Sequence, residues 1–466
     1  MKKHPNLLGL AHLGLFAAGF ALLIALANTH LIQSDTVACL TLHEMKQRDD
    51  IELAFVGSSI VRDHFNAQLI TEETGLTAFC ATVPTASMPA SIALTREMLR
   101  TSSPEWVVLV AEPYNFHTVR EAPEAQYRLM PYLSDPLNRL DYYLRTCDED
   151  SFYVDRLLMF RQYGAKSLRD VVKTIGLRHF PQQTYEKLKP AMDPSLHYQG
   201  SGFLRHETDE RADALLRAVI REYTGYTYGL YDGSKEQLRL YQQLCEESGA
   251  KLMVVIFPNH TAHALAEPGF MDYNDSLMDF CAEIGVPCFN FSWAKPELMP
   301  NLDGYFFDLY HMVGEGADLL SNAFCRVFNA YTAGEDVSGL FYENRWAYLD
   351  TVDFTTNVWL TRYEPGSEWN KALEQDEVRV TALAQEQDVF MADCNHYVTY
   401  TPEYRFVLLE DDGRETLLQD YGEDTLYACA KGALDGRTLR VYARIQGHEE
   451  NGEVWYDLPI AQSSLD

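Results

Sequence analysis

The sequence lacks an excess of basic residues. Its 466 residues include 38 Lys and Arg against 68 Asp and Glu, which gives a formal net charge of −30. Proteins that bind nucleic acid need a basic face for the phosphates, so this balance argues against a nucleic-acid partner. It suits a self-repelling surface exposed to water or to neutral or cationic polymers, and it is also common in proteins with no polyanion partner. The length predicts two or three domains.

Paired cysteines are also missing. Nine cysteines are scattered along the chain, and no two of them are spaced as Cys-x-x-Cys. Such a pattern is neither a metal cluster nor a disulfide framework. Cys394 and Cys429 could pair within the last domain, although nothing in the pattern requires it. We interpret the cysteines as mostly buried free thiols, which in an exported protein indicates surroundings that are not strongly oxidising.

One long segment lacks charged side chains altogether. The run "LLGLAHLGLFAAGFALLIALA", residues 7–27, has no Asp, Glu, Lys or Arg, and Lys2 and Lys3 precede it. That length is what a helix needs to cross a bilayer, and the two lysines predict a cytoplasmic start with the rest of the chain exported. A cleaved signal peptide is the alternative, but its apolar core is usually shorter. We therefore predict a cytoplasmic start and a single-pass cell-membrane anchor within residues 1–35, with the remainder extracytoplasmic.

Short apolar runs with almost no charge alternate with amphipathic segments after the anchor. Uninterrupted apolar strands separated by helices are typical of a parallel sheet covered on both faces. Gly285 stands just past one such helix, where a left-handed cap is expected. The pattern predicts a three-layer α/β domain over residues 50–335, in which a ligand lies beyond the carboxyl ends of the strands. The predicted strands are residues 52–57, 76–83, 105–112, 251–257 and 286–291.

Two further regions depart from this alternation. Residues 120–232 form an insertion that contains the amphipathic segment "RADALLRAVIREY", and they predict either a helical cap over the site or extra packing. From about residue 340 the pattern changes to period two. This change predicts a separate antiparallel β-sandwich over residues 340–466, with a turn at Asp412-Gly413. The predicted strands include "EVRVTALA" (377–384), "YRFVLLEDDGRETLL" (404–418) and "TLRVYARIQG" (438–447).

Hydroxyl side chains follow the first predicted strand directly, in "FVGSSIVRDHF". Ser59 would project over the strand ends, but a serine is a poor nucleophile until a base takes its proton. The base could come from "GYFFDLYHMVGEGADLLSNAF", residues 304–324, where Asp308 and His311 are separated by two residues. That spacing lets the carboxylate bond one imidazole nitrogen and leaves the other nitrogen to face the serine.

These residues resemble a known family. Gly-x-Ser directly after the first strand and Asp-x-x-His before the last helix resemble the opening and closing blocks of the SGNH/GDSL esterase superfamily, over residues 50–330. "GSS", the N-terminal anchor and "HMVGEGA" resemble the branch with the D-alanyl-transfer protein of teichoic-acid operons and the membrane-anchored O-acetyltransferases of alginate and peptidoglycan. The resemblance implies acyl-ester chemistry with Ser59 as nucleophile, His311 as base and Asp308 orienting the histidine.

The middle blocks of the superfamily are less well matched. The resemblance implies oxyanion donors from a glycine after the second strand and an asparagine after the third. Here "CATVPTAS" has no glycine, so the backbone N–H of Thr82 would take that place, and "EPYNF" offers Asn115. Gly57 would shape the turn at the nucleophile. His260, in "FPNH", is expected at the same edge, either near the substrate or as a solvated loop residue.

The expected function is a membrane-tethered serine acyl-esterase or acyltransferase. The resemblance implies acetyl or D-alanyl chemistry on a cell-surface polysaccharide or teichoic-acid-like polymer, with an integral membrane acyltransferase as a further partner. No cofactor is expected, and a metal held by Asp308, His311 and His260 has no further ligand pattern behind it. The alternative is a catalytically inactive protein of the same fold that binds glycan or supports envelope assembly. The enzyme requires a hydrogen-bond distance between the Ser59 hydroxyl and the His311 ring and the inactive protein does not, so this distance distinguishes the two hypotheses.

Overall fold

The structure is a computed structural model of the chain, and its packing divides the chain into two units. The first consists of Met1–Glu207, Gly229–Pro258 and Ser276–Phe341, and the second of Thr208–Tyr228, Asn259–Asp275 and Tyr342–Asp466. The residues that the structure describes are 5–30, 36–112, 128–146, 167–179, 230, 232–261, 264, 268–306, 311–349, 351, 358–364, 377–394, 400–410, 412–448 and 453–461.

The chain begins with a long apolar helix, α1 (Pro5–His30). Its segment Leu8–Ala27 is the one helix in the described part of the chain that is long and apolar enough to cross a membrane. The leucine and phenylalanine side chains along this segment are 46–72% exposed. A second helix, α2 (Thr36–Lys46), follows and buries Leu40, Leu42 and Met45.

The first unit is built on a five-stranded parallel sheet with strand order β2-β1-β3-β4-β5. Every residue of β1, β2 and β3 is buried, which explains why these strands read as continuous apolar runs without alternation. The prediction of an α/β domain with a parallel sheet is therefore confirmed. The strands are β1 (Leu53–Gly57), β2 (Ala78–Thr82), β3 (Trp106–Ala111), β4 (Lys251–Ile256) and β5 (Cys288–Asn290).

Helices connect these strands and follow the last of them. Gly285 has a φ of 72°, in the left-handed region, and closes the helix before β5 as predicted. The helices are α3 (Ser59–His64), α4 (Ala67–Thr74), α5 (Met88–Met98), α8 (Asp232–Ser248), α9 (Pro268–Ile284) and α10 (Gly314–Thr332). Short 3₁₀ turns occupy Phe291–Trp293, Asp303–Tyr305 and Ser338–Leu340.

The predicted insertion is described only in part. Within it lie a 3₁₀ turn (Met130–Tyr132) and the helices α6 (Pro136–Thr146) and α7 (Leu168–His179). Helix α6 packs against α5, and α7 packs against α1 and α2. The segment "RADALLRAVIREY", predicted as an amphipathic helix, lies outside the described residues.

The second unit contains two antiparallel sheets, with orders β10-β7-β6 and β12-β11-β8-β9. Side chains from both sheets share one hydrophobic core, and in β11 the alternate residues Leu439, Val441, Ala443 and Ile445 are all buried. The strands are β6 (Val358–Arg362), β7 (Gln387–Cys394), β8 (Pro402–Leu409), β9 (Glu415–Gly422), β10 (Leu426–Ala430), β11 (Thr438–Ile445) and β12 (Val454–Pro459). A short helix, α11 (Arg345–Leu349), precedes them.

One predicted strand of this unit is wrong. The segment "EVRVTALA" forms helix α12 (Glu377–Leu383) instead of a strand. Val380 is fully buried, and Leu383 and Ala384 pack with it against β7 and β10. Because these three residues are also spaced as i, i+3 and i+4, the sequence fits a helix as well as a strand, and packing against the sheet decides for the helix.

Seven cysteines with described side chains are free thiols, and Cys394 and Cys429 do not pair with each other: Cys80, Cys245, Cys281, Cys288, Cys325, Cys394 and Cys429. Burial raises the pKa of Cys245, of Cys325 and of Cys394 to about 12 in each case. These thiols are therefore protonated at neutral pH, as a buried and unreactive cysteine is expected to be.

Candidate active site

The turn between β1 and α3 is shaped by Gly57 and Ser58. A Cβ on Gly57 would lie 2.8 Å from Cγ2 of Val61 and 3.2 Å from the carbonyl oxygen of Val110, so only glycine lets the turn approach β3 this closely. Ser58 is the N-cap of α3, and its hydroxyl accepts a hydrogen bond from the N–H of Ile60 (3.2 Å). Ser58 thus closes the turn, and Ser59 becomes the first residue of α3.

Ser59 and His311, which are 252 residues apart in sequence, meet at this turn. The Ser59 hydroxyl and Nε2 of His311 are 2.9 Å apart, a hydrogen-bond distance. The His311 side chain retains 24% exposure, so the pair is accessible to solvent. A serine hydroxyl held by an imidazole nitrogen is the arrangement that general-base activation of a serine requires.

The chain on both sides of His311 is anchored to the same unit. Phe306 and Met312 form an antiparallel bridge, and the N–H of Val313 donates to the carbonyl of Tyr305 (2.8 Å). A Cβ on Gly316 would lie 2.7 Å from Cβ of Tyr305, so the first turn of α10 rests directly on this residue. Gly316, the second glycine of "HMVGEGA", thus lets the helix and the preceding loop pack closely, and this packing holds His311 just before α10.

Among the described residues, two carboxylates lie near His311: Asp63 and Glu112. Asp63 is fully buried, and Arg62 donates to both of its oxygens at 2.7 Å. Its Oδ2 lies 3.9 Å from Nε2 of His311, the same nitrogen that faces Ser59. Asp63 therefore does not occupy the position of an aspartate that orients the histidine through Nδ1, but it adds negative charge beside the ring.

Glu112 is the second carboxylate, and it follows β3 directly. The hydroxyl of Ser58 donates to Glu112, which links the N-cap of α3 to the end of the neighbouring strand. Burial raises the pKa of Glu112 to about 7, and the opposing effects of the Ser58 hydrogen bond and the charge of His311 are smaller. Near neutral pH this carboxyl can exist in either protonation state beside the Ser59–His311 pair.

The remaining predicted site residues are Asp308, Asn115, Thr82 and His260. Asp308 and Asn115 lie outside the described residues. Thr82 is fully buried at the end of β2, in register with Gly57. The N–H of Val83, not that of Thr82, donates to the carbonyl of Gly57 (3.3 Å), so the Thr82 N–H points away from β1. His260 is buried and belongs to the second unit.

Asp63 and Glu112 were not singled out from the sequence, although each had a signal. Asp63 is four residues after Ser59, and that spacing places both on one face of a helix. Glu112 is a charge at the carboxyl end of a buried strand, where polar groups of a parallel sheet converge. Within the described part of the chain, no three His, Cys, Asp or Glu side chains are arranged to hold a metal ion.

Comparison with known proteins adds little to this geometry. No protein-family model matches the sequence, and no curated protein matches it. The chain is similar to the crystal structure of a Bacteroides fragilis protein assigned as an acylhydrolase, at 11% identity and a TM-score of 0.30, over 65% of this chain and 93% of that one. It also has a slight likeness to an endo-β-1,4-mannanase from Thermotoga petrophila, at 12% identity and a TM-score of 0.17, over 93% and 97% of the two chains. Neither score is high enough to carry an argument about function.

Proposed function

We propose that this chain is a serine acyl-esterase or O-acyltransferase of the SGNH type, tethered to the cell membrane by α1. The observation that carries the proposal is the 2.9 Å contact between the Ser59 hydroxyl and Nε2 of His311. The two residues come from opposite ends of one domain. Each stands where a parallel sheet presents its catalytic groups, beyond the carboxyl end of β1 and before the last helix.

The proposed reaction is acyl transfer through a covalent intermediate. Nε2 of His311 removes the proton of Ser59 as Oγ attacks the ester carbonyl, and the same nitrogen then returns that proton to the departing alcohol. This leaves an acyl group on Ser59. Water, or a hydroxyl of an acceptor, then gives its proton to His311 as it attacks the acyl carbon. His311 returns that proton to Oγ of Ser59 as the bond between Oγ and the acyl group breaks, which restores the serine. Asp63 and Glu112 lie where their negative charge would stabilise the imidazolium that forms twice in this cycle.

The substrate class follows from the sequence resemblance together with the anchor. We propose acetyl or D-alanyl esters of a cell-surface polysaccharide or teichoic-acid-like polymer, on the extracytoplasmic side. An integral membrane acyltransferase would supply or accept acyl groups, because a tethered domain stays within reach of the bilayer. Asp308 would orient His311, and Asn115 would donate to the oxyanion. Thr82, whose N–H points away from β1, and His260 remain proposed contacts for the substrate. The sequence blocks after the second and third strands match the superfamily poorly, and for this reason a catalytically inactive binding protein is the alternative to this proposal.

The test is labelling of the full-length protein in nanodiscs with a fluorophosphonate, whose phosphorus reacts with an activated serine and releases fluoride. We expect the parent to be labelled on the tryptic peptide that contains Ser59. Ser59→Ala and His311→Ala should lose the label, while Ser338→Ala, which removes an exposed serine of the same unit, should keep it.

A folded parent that remains unlabelled would refute the enzyme and favour the binding protein. Labelling that survives in His311→Ala would refute the assigned base. With labelling established, release of acetate and of D-alanine from acylated polymer distinguishes the two acyl groups. Addition of a soluble alcohol acceptor then shows whether transfer competes with hydrolysis.

A further inference from the structure

Helix α6 exposes its leucines and buries three of its polar side chains. Asn138, Tyr142 and Thr146 face the unit and are at most 5% exposed, and Nδ2 of Asn138 donates to the carbonyl of Ala93 in α5 (2.8 Å). On the outer side, Leu137, Leu140 and Leu144 are 75%, 53% and 55% exposed. At about 100° per residue the two sets centre roughly 170° apart, so the leucines form a stripe opposite the packed face. Exposure of such an apolar stripe to water is unfavourable.

Helix α7 presents a second apolar stripe. Leu168, Val172 and Ile175 are 81%, 63% and 39% exposed, and they are spaced as i, i+4 and i+7. Arg169 and Lys173 are exposed beside the stripe. Outside α1, six of the nine large apolar side chains that stand exposed in the described part of the chain lie on α6 and α7. An apolar stripe bordered by basic side chains is typical of a helix that lies in a membrane interface.

Helices α6 and α7 are connected by contacts to α1, the helix that is proposed to cross the bilayer. Helix α7 contacts both α1 and α2. The five residues between α1 and α2 can span at most about 20 Å, so the start of α2 stays close to the membrane surface. Helix α2 in turn contacts α5, against which α6 packs, and Lys46 at its end pairs with Glu97 of α5. One continuous set of contacts therefore leads from the membrane helix to both stripes.

We propose that α6 and α7 lie on the lipid bilayer that α1 crosses, with their apolar stripes inserted at the boundary of headgroups and acyl chains. The occupant of both stripes is the membrane itself rather than a protein partner. Arg169 and Lys173 would extend their apolar stems along the same boundary and place their charges among anionic headgroups. Three contacts with the membrane would then fix the orientation of the first unit, where α1 alone would let it swivel.

The experiment uses the full-length protein in nanodiscs of phosphatidylcholine and phosphatidylglycerol. The photoreactive residue p-benzoyl-phenylalanine replaces Leu140, Val172 or, as a control, Gln68, an exposed polar residue of α4. After irradiation, mass spectrometry measures the peptide fraction that has gained the mass of one phospholipid. We expect yields at Leu140 and Val172 on the order of tenfold above Gln68, because only the two stripes would contact acyl chains.

Yields at Leu140 and Val172 no higher than at Gln68 would overturn the proposal. Cross-links to a second protein chain in place of lipid would overturn it as well, and would assign the stripes to a protein partner. Because both substituted residues are exposed, folding should survive, and an unchanged melting temperature for each variant checks this. The result does not depend on whether Ser59 is a nucleophile, so it stands or falls separately from the proposed enzyme activity.

Discussion

Glu112 gives the candidate site a pH dependence that a Ser–His pair alone would not have. Its pKa is raised from 4.5 to about 7, so the folded protein holds this proton more tightly than the unfolded chain does. The stability that this proton contributes is complete below pH 4.5 and is lost as the pH rises through about 7. Above neutrality a charged carboxylate remains in a partly buried position, which is unfavourable unless its partners compensate.

Glu112→Gln should therefore stabilise the protein at alkaline pH and leave it unchanged at acid pH. We expect a gain of about 1–3 kcal/mol at pH 8 and a difference near zero at pH 4.5. Thermal unfolding of parent and variant across this range measures it. Glu236→Gln, at an exposed position on α8, is the matched control and should show no such trend. A destabilised Glu112→Gln at pH 8 would mean that the carboxylate is held by a favourable contact there.

Gly57 is needed for its lack of a side chain rather than for an unusual backbone angle. Gly57→Ala should destabilise the first unit by about 1–3 kcal/mol, because its Cβ would press on Val61 and on the Val110 carbonyl. Adding Val61→Ala should recover part of the loss, since it removes the nearest atom but not the carbonyl. Gly339→Ala, where a Cβ meets nothing within 4 Å, is the control. Denaturant unfolding gives the values, and a Gly57→Ala protein as stable as the control would contradict the packing argument.

The residue pattern predicted some members of the site and missed others for a physical reason. Ser59 and His311 stand at points where a strand ends or a helix begins, and such points can be read from hydrophobic periodicity. Asp63 and Glu112 also stand at positions with a local signal, one four residues after Ser59 and the other at a strand end. What the sequence does not encode is their long-range contacts: Asp63 lies 3.9 Å from Nε2 of His311, and Glu112 accepts from Ser58 at the end of the neighbouring strand.

At the scale of elements, the loop before α10 and the helix itself form one structure. Gly316→Ala would push Tyr305 away from α10 and so displace the segment that holds His311. We expect fluorophosphonate labelling of Ser59 to slow by about tenfold or more, since a shift of about 1 Å is enough to impair a catalytic contact. Gly304→Ala, in the same loop but with open space at its Cβ, should label at the parent rate. Equal rates in both variants would show that the loop tolerates the shift.

The type of an element was predictable where its pattern of apolar residues fitted only one kind of secondary structure. The strands β1 to β4 have apolar side chains on both faces, and nothing else fits so short a continuous run. Helix α12 was not predictable in this way, because Val380 belongs to both an alternating and a helical pattern. Which of the two forms depends on β7 and β10, whose buried side chains receive one face of the helix.

At the scale of the whole molecule, the net charge of −30 should govern the response to salt. Salt weakens exposed ion pairs such as Arg414–Asp412, but these contribute at most about 1 kcal/mol each. It also screens the repulsion among the surplus acidic side chains, which acts over the entire surface. We therefore expect the melting temperature to rise by a few degrees as NaCl increases from about 0.02 to 0.3 M, with sorbitol at equal osmolality as the control. A fall in melting temperature would mean that ion pairs outweigh the repulsion.

The buried thiols have a consequence for the export that we propose for this chain. Thiol–disulfide exchange proceeds through the thiolate, and a pKa of about 12 leaves roughly one thiolate in 10⁵ at pH 7 for Cys245, Cys325 or Cys394. Once folded, these side chains are shielded from oxidants whatever the redox potential outside. If the chain is exported as proposed, these thiols would be open to oxidation only between translocation and folding. The speed of folding, more than the chemistry of the compartment, would then decide whether wrong disulfides form.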